Sequence, residues 1–189
     1  MKKMICYLLV LIMTVSVVGC GSKNNGAEKV DIADCVTLLN TVWASYDDAE
    51  KFPAGGGDFA TEETTSMDGP AKVGITDAAV LDSMFGLPES GVAQIDDAAS
   101  LNHMMNANTF TCGVFRVTDG TDMAEFTKNL RDHIQERQWM CGFPDKLCIM
   151  TIGNYVVSAF GKEDPMNTFK EKVQAAYPET AVAFEEVIE

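Results

Sequence analysis

Apolar positions along this chain recur with two periods, and each predicts a different element. Ile32, Val36, Leu39, Trp43 and Tyr46 fall at three- and four-residue intervals. That is the stripe of an amphipathic helix over 31–46, with Asp31 as its N-cap. Val80, Leu81, Met84 and Phe85 repeat the pattern over 76–85, where Thr76 caps the start and Gly86 ends the turn before Leu87-Pro88. Alternation takes over in Phe110–Val117, with Phe110, Cys112 and Val114 on one face and Thr111, Gly113 and Phe115 on the other. Met123, Phe126, Leu130 and Ile134 restore the helical period over 122–138, together with the stem of Arg137. Asp122 and Glu125 stand at capping-box spacing. Lys146–Ile152 and Tyr155–Phe160 flank Gly153-Asn154, a favoured two-residue hairpin turn. Asp164-Pro165 opens a last helix with Phe169, Val173, Ala176 and Tyr177 in its stripe, limited by Pro178.

Between these elements the pattern is weaker. Val92–Ile95 reads as a short strand, and Ala98–Asn108 is ambiguous in period, with Leu101, Met104 and Met105 allowing a helical turn. Residues 47–74 hold Gly55-Gly56-Gly57 and Gly69-Pro70 without a sustained period, which reads as a long loop. The tail after Pro178 is acidic and is expected to fray. The fold expected is α+β in two layers. An antiparallel sheet of about four strands packs one face against helices 122–138 and 165–177, and an N-terminal helix precedes it.

The N-terminus has a different character. Lys2 and Lys3 precede Tyr7–Val18, an apolar run of about 12 residues, where a membrane span needs roughly 20. A basic start, a short apolar core and an abrupt polar continuation describe a secretory leader. Val17-Val18-Gly19-Cys20 resembles a bacterial lipobox. The resemblance implies that Cys20 carries a diacylglyceryl group on its thiol and becomes the first mature residue. Two acyl chains anchor stably where one binds only reversibly. Gly21–Lys29 is small and polar, a tether reaching about 15–18 Å as a coil. The chain thus divides into a lipoprotein signal peptide (1–19), a tether (20–29), a helix and long loop (30–75), an α+β domain (76–178) and an acidic tail (179–189).

Charge and cysteine content narrow the picture. The chain has 28 acidic and 14 basic residues, a net charge of −14. No Lys/Arg patch is available to neutralise phosphates, so nucleic acid is not an expected partner. The acidic surplus would suit a cation, but more simply makes a solvated surface. Cys35 and Cys112 lie in apolar patterns as free core thiols, whereas Cys141 and Cys148 bracket a Gly/Pro/Asp turn and form a candidate disulfide. Their spacing matches neither a CxxC redox motif nor a zinc site, so no metal is expected.

Phe85-Gly-Leu-Pro-Glu-Ser90, Cys112-Gly-Val-Phe-Arg-Val117, the helix Glu125–Gln138 and Gly153-Asn-Tyr-Val-Val-Ser-Ala-Phe160, behind the lipobox, carry a family resemblance. The chain resembles a family of small lipoproteins of Gram-positive anaerobes with a C-terminal domain of unknown function, over roughly residues 76–178. The resemblance implies location and architecture, and no catalytic residue.

No nucleophile elbow, HExxH, P-loop or dinucleotide fingerprint occurs. His133 reads as a half-exposed surface residue, and His103-Met104-Met105 as packing with a faint soft-metal character. Asp47-Asp48 and Asp96-Asp97 would diverge on a strand. Trp139 is either a core cap or an anchor for a partner. The expected function is a membrane-anchored, non-catalytic binding or scaffolding module of the cell envelope. It has no cofactor, meets the membrane through its lipid and offers a surface to an envelope protein. The alternatives are a small-ligand or cation-binding lipoprotein, an extracytoplasmic enzyme, or a thiol-redox role for Cys141 and Cys148.

Overall fold

The computed structural model describes residues 30–61, 64–140 and 142–189. The leader, Cys20, the tether and Cys141 lie outside the described residues. No described helix is long and apolar enough to cross a membrane.

The class is α+β, but the sheet has eight antiparallel strands rather than about four, and the layers number three. Its strands are β1 (Ala54–Gly57), β2 (Thr65–Ser66), β3 (Ala71–Lys72), β4 (Ile95–His103), β5 (Phe110–Val117), β6 (Lys146–Ile152), β7 (Tyr155–Gly161) and β8 (Ala181–Val187). They run in the order β2-β1-β4-β5-β7-β6-β8, and β3 pairs with β4 beside β1. The helices are α1 (Cys35–Ala44), α2 (Ala78–Phe85), α3 (Glu89–Val92), α4 (Met123–Gln135) and α5 (Glu163–Ala176).

The two long helices do not share a face. Strand alternation sends Cys112, Val114, Cys148, Met150, Tyr155 and Val157 toward α1 and α5. The intervening residues, among them Phe115, Ile149, Val156 and Phe160, meet α2 and α4. Central strands apolar on both faces need cover on both faces. Here α1, the helix expected only to precede the α+β domain, packs on the sheet beside α5.

Other corrections follow from neighbours distant in sequence. The 47–74 stretch contains β1, β2 and β3. A Cβ at Gly56 would fall 2.5 Å from the Ser100 carbonyl oxygen and 2.7 Å from that of Gly69, so glycine permits the close backbone approach. Residues 98–103 belong to β4, where Asp96 faces outward and Asp97 turns inward at a bulge. Of the strand expected over Val92–Ile95, Val92 ends helix α3 and only Ile95 lies in a strand, as the first residue of β4. The acidic tail is strand β8, held by Glu185 to Lys146 (2.7 Å) and Lys170 (2.9 Å). Three caps differ as well. Asp34 caps α1, accepting from the Thr37 N–H at 2.7 Å, and Asp77 caps α2. For α5 the carboxylate is remote: Asp145 accepts from the Glu163 N–H at 3.1 Å, while Asp164 lies within the first turn. Asp122 caps α4 as expected, and the hairpin turns at Gly153 (φ +55°).

Candidate functional site

The register of β4, β5 and β7 builds a floor at one end of the sheet. Asn102 pairs with Thr111, and Thr111 with Phe160. These three side chains form the last cross-strand row on the α2/α4 face. One row inward, Gly113 is covered by Phe85 from the last turn of α2. Helix α2 stops at Gly86 (φ +69°) and α4 stops at Gln135, so neither helix lies over the outermost row. The row instead floors a cleft of about 380 Å³, within the usual range for small-molecule sites. We call this the distal cleft.

Its walls come mostly from segments that follow or join the regular elements. Arg137 and Trp139 follow α4, Met84 comes from α2, and His103 to Asn108 form the β4–β5 turn. Phe59 closes one side at φ +55°, a left-handed conformation that a bulky side chain rarely adopts. The adjacent Asp58 holds it there. Its carboxylate accepts from the Thr64 hydroxyl (2.6 Å) and from the N–H groups of Ala60 (3.0 Å) and Gly74 (3.0 Å). Burial pushes the Asp58 carboxyl up, but those hydrogen bonds outweigh it and leave it below the ordinary 3.8.

The polar groups of this cleft are under-satisfied. Five buried side-chain atoms among the described residues lack a hydrogen-bond partner, and three belong to residues lining the cleft: Asn102 Oδ1, Arg137 Nη1 and Trp139 Nε1. Asn102 is only 7% exposed, and its amide N–H donates to Ser100 Oγ at 3.2 Å. Arg137 stacks over the rings of Trp139 (5.0 Å to the centroid) and Phe160 (5.7 Å), and its Nη2 donates to the Ser83 carbonyl. It makes no ion pair with a described carboxylate. Burial pushes its pKa below the ordinary value, with Asp82 nearby acting in the opposite sense. A guanidinium remains charged regardless. Asp82 itself is bonded to His133 Nε2 at 2.8 Å, which assigns that surface histidine to the α2–α4 seam. His103 Nδ1 accepts from the N–H groups of Met105 and Asn106, both at 3.3 Å, which leaves the ring proton on Nε2.

A second concavity, of about 310 Å³, lies at the opposite end of the strands. Its walls include Val30, Asp96, Arg116 and Tyr155. Here every charge has a partner. Arg116 Nε donates to Asp96 at 2.6 Å and its Nη1 to the Ala33 carbonyl at 3.3 Å, while the Tyr155 hydroxyl donates to the Ile32 carbonyl at 2.8 Å. Asp96, then Tyr155, raises the Arg116 pKa. This end holds the incoming N-terminal segment.

The sequence candidates are scattered. Cys35, Cys112 and Cys148 are buried free cysteines on the α1/α5 face. Burial pushes the Cys148 thiol up to about 11, which leaves it little thiolate character. The candidate bridge has its other end, Cys141, outside the described residues. No group of three His, Cys, Asp or Glu side chains among the described residues is placed to hold a metal. The sequence pattern by itself does not mark Arg137 or Asn102 as site residues. The signal available was an arginine two residues before a tryptophan, just past an amphipathic helix, in a chain where acids outnumber bases two to one.

No family model, curated protein or solved structure matches the chain.

Proposed function

We propose that this chain is a lipid-anchored extracytoplasmic lipoprotein whose α+β domain is a non-catalytic binding module, with the distal cleft as its binding site. The observation that carries the reading is a cleft of about 380 Å³ that neither helix covers, lined by Arg137, a stacked guanidinium with no described carboxylate partner. A buried donor or acceptor left unmade costs ~1–3 kcal/mol. Three such atoms lie beneath the lining of this one cleft, out of solvent contact, so the fold bears that cost beside the cleft.

The direction of the strands supports the same reading. Val30, the first described residue, lines the concavity at one end, and β5 runs eight residues from the other. At ~3.4 Å per residue this separates the ends by about 25 Å. With Cys20 acylated, the chain enters the domain from the anchor at the paired end, and the cleft lies at the far end of the strands. Within the binding class, the cleft favours a small ligand over a scaffold surface, and its unpaired guanidinium disfavours a cation.

Two measurements test the proposal. An intact-mass spectrum of the native polypeptide is expected to show residues 1–19 removed and a glyceride adduct on Cys20; a bare N-terminus overturns the anchor. The full chain incubated with envelope extract is expected to retain a small molecule that Ala107→Trp does not. Ala107 is an exposed rim residue, so its replacement obstructs the cleft without entering the core. Equal retention by both proteins, or by neither, overturns the cleft.

A further inference from the structure

The sheet has two edges, and they are not alike. Strand β2 closes one with two residues, Thr65 and Ser66. Strand β8 closes the other with seven, and its far side pairs with no described strand. The Ile188 N–H donates to the Asp145 carbonyl at 3.2 Å. By strand alternation Glu186 and Phe184 then turn their backbone groups toward β6, and Val187 and Glu185 turn theirs outward. The Val187 carbonyl accepts from Gln135 Nε2 at 2.9 Å, a side-chain donor in the place of a neighbouring strand's N–H. Val187 itself is 67% exposed. A register shift between Ile149 and Met150 leaves Ala183 without an opposite residue, so the regular stretch of this edge begins at Phe184.

Charge selects what fits there. Two concavities flank Val187, one on each face of the sheet. Glu136, Glu186 and Glu189 line the first, of about 590 Å³, on the α4 side. Asp145, Glu163 and Glu185 line the second, of about 280 Å³, on the α5 side. The nearby cations are already paired: Arg131 with Glu186, Lys146 and Lys170 with Glu185, and Lys162 with Asp145. Glu136, Glu163 and Glu189 make no ion pair with a described residue. We propose that β8 is a docking edge for an extended, Lys/Arg-rich segment of a partner protein, which adds to the sheet as a further strand. Opposed residues on neighbouring strands share a sheet face. The partner residue opposite Glu185 therefore points to the Glu163 side, and the one opposite Glu186 to the Glu136 side. Main-chain bonds supply affinity and these basic side chains supply selectivity. A second copy of this chain is disfavoured, because its own β8 would bring like carboxylates to the edge and each chain carries a net charge of −14. The inference is independent of the distal cleft.

The probe is the peptide Lys-Val-Arg-Lys-Val-Arg, amidated and fluorescein-labelled, with the full chain titrated in and binding read by anisotropy. Saturable binding is expected, weakening as salt rises. The peptide Glu-Val-Glu-Glu-Val-Glu should not bind. N-methylation of every peptide amide keeps the charges but removes the backbone donors, and should weaken binding roughly tenfold or more. Val187→Pro removes an outward N–H and no ladder bond to β6, so it should weaken binding by a similar factor and leave the melting temperature nearly unchanged. Glu136→Lys and Glu189→Lys, both at exposed positions, should each weaken it several-fold, less so at high salt. Equal binding of the N-methylated peptide overturns strand addition, and equal binding of the acidic peptide overturns the preference for a basic partner. No saturable binding of the basic peptide overturns the proposal as a whole. Dimerisation of the chain alone, abolished by Val187→Pro, assigns the edge to a second copy and also overturns it.

Discussion

The two ends of the sheet each carry an arginine, and they are treated oppositely. At the tether end Arg116 is enclosed by Asp96, the Ala33 carbonyl and Tyr155, and its charge is stabilised. At the distal end Arg137 is pressed between aromatic rings with one nitrogen bonded to a carbonyl and one bonded to nothing. Burying a charge without its counterion is expensive, so folds that need a cation for architecture usually surround it as Arg116 is surrounded. An arginine left as Arg137 is left contributes little to stability. The difference separates a charge that secures the chain from one packed on aromatic rings in the lining of an open cleft.

The comparison can be broken at several places. The largest effect is expected at Gly161, which follows the cleft-floor residue Phe160. A Cβ there would lie 2.9 Å from the Phe110 Cα, within the backbone of the neighbouring strand. Gly161→Val should therefore destabilise the protein by about 3 kcal/mol in urea titration, whereas an unchanged midpoint would show that the distal floor is loosely packed. Next come the arginines themselves. Arg116→Gln should cost about 1 kcal/mol, discounted because its partner Asp96 is half-exposed. Arg137→Gln should cost less than Arg116→Gln, because loss of its bond to the Ser83 carbonyl and of the ring stacking is offset by removal of a buried charge without a carboxylate partner. The reverse ranking in urea titration would erase the distinction between the two ends.

Phe59 sharpens the point further. Phe59→Gly relieves a left-handed backbone and removes a cleft wall, so stability should hold or rise by up to ~1 kcal/mol while ligand binding weakens. Parallel loss of both would make Phe59 a packing residue. The smallest effect is common to both ends. Asp34, held low chiefly by the Thr37 N–H, and Asp58 both have folded pKa values below the ordinary 3.8. Their stabilisation is present above that value and is lost as pH falls through the lower folded values. The melting temperature should thus be flat to about pH 5 and decline below it, with Asp34→Asn and Asp58→Asn each flattening the decline.

Strongly periodic segments were legible from sequence. Strand β5, the β6–β7 hairpin and α4 with its Asp122 cap formed where alternation, turn chemistry and spacing agreed. What escaped notice depends on partners far along the chain. Strand β4 reads Ile-Asp-Asp-Ala-Ala-Ser-Leu-Asn-His, with small and polar residues buried because strands cover both of its edges. Strand β1 is largely glycine, which has no hydropathy pattern, and β8 is acidic because it lies at an exposed edge facing lysines. The cleft was hidden for the same reason. His103-Met104-Met105 was visible as a motif and Trp139 as a candidate anchor. That β4 and the segment after α4 end beside each other is a property of the register, and Asn102 became notable only when buried without a partner for its oxygen.

The most direct test uses the two tryptophans as reporter and control. In the free full chain the Trp139 indole N–H has no acceptor, while that of Trp43 donates to the Asp68 carbonyl at 3.2 Å. Titration with the small-molecule fraction of envelope extract, followed by nuclear magnetic resonance of the two indole N–H signals, should move the Trp139 resonance saturably, because Trp139 lines the cleft, and leave Trp43 in place. A stationary Trp139 resonance in the presence of bound ligand would contradict the assignment of the distal cleft as the binding site.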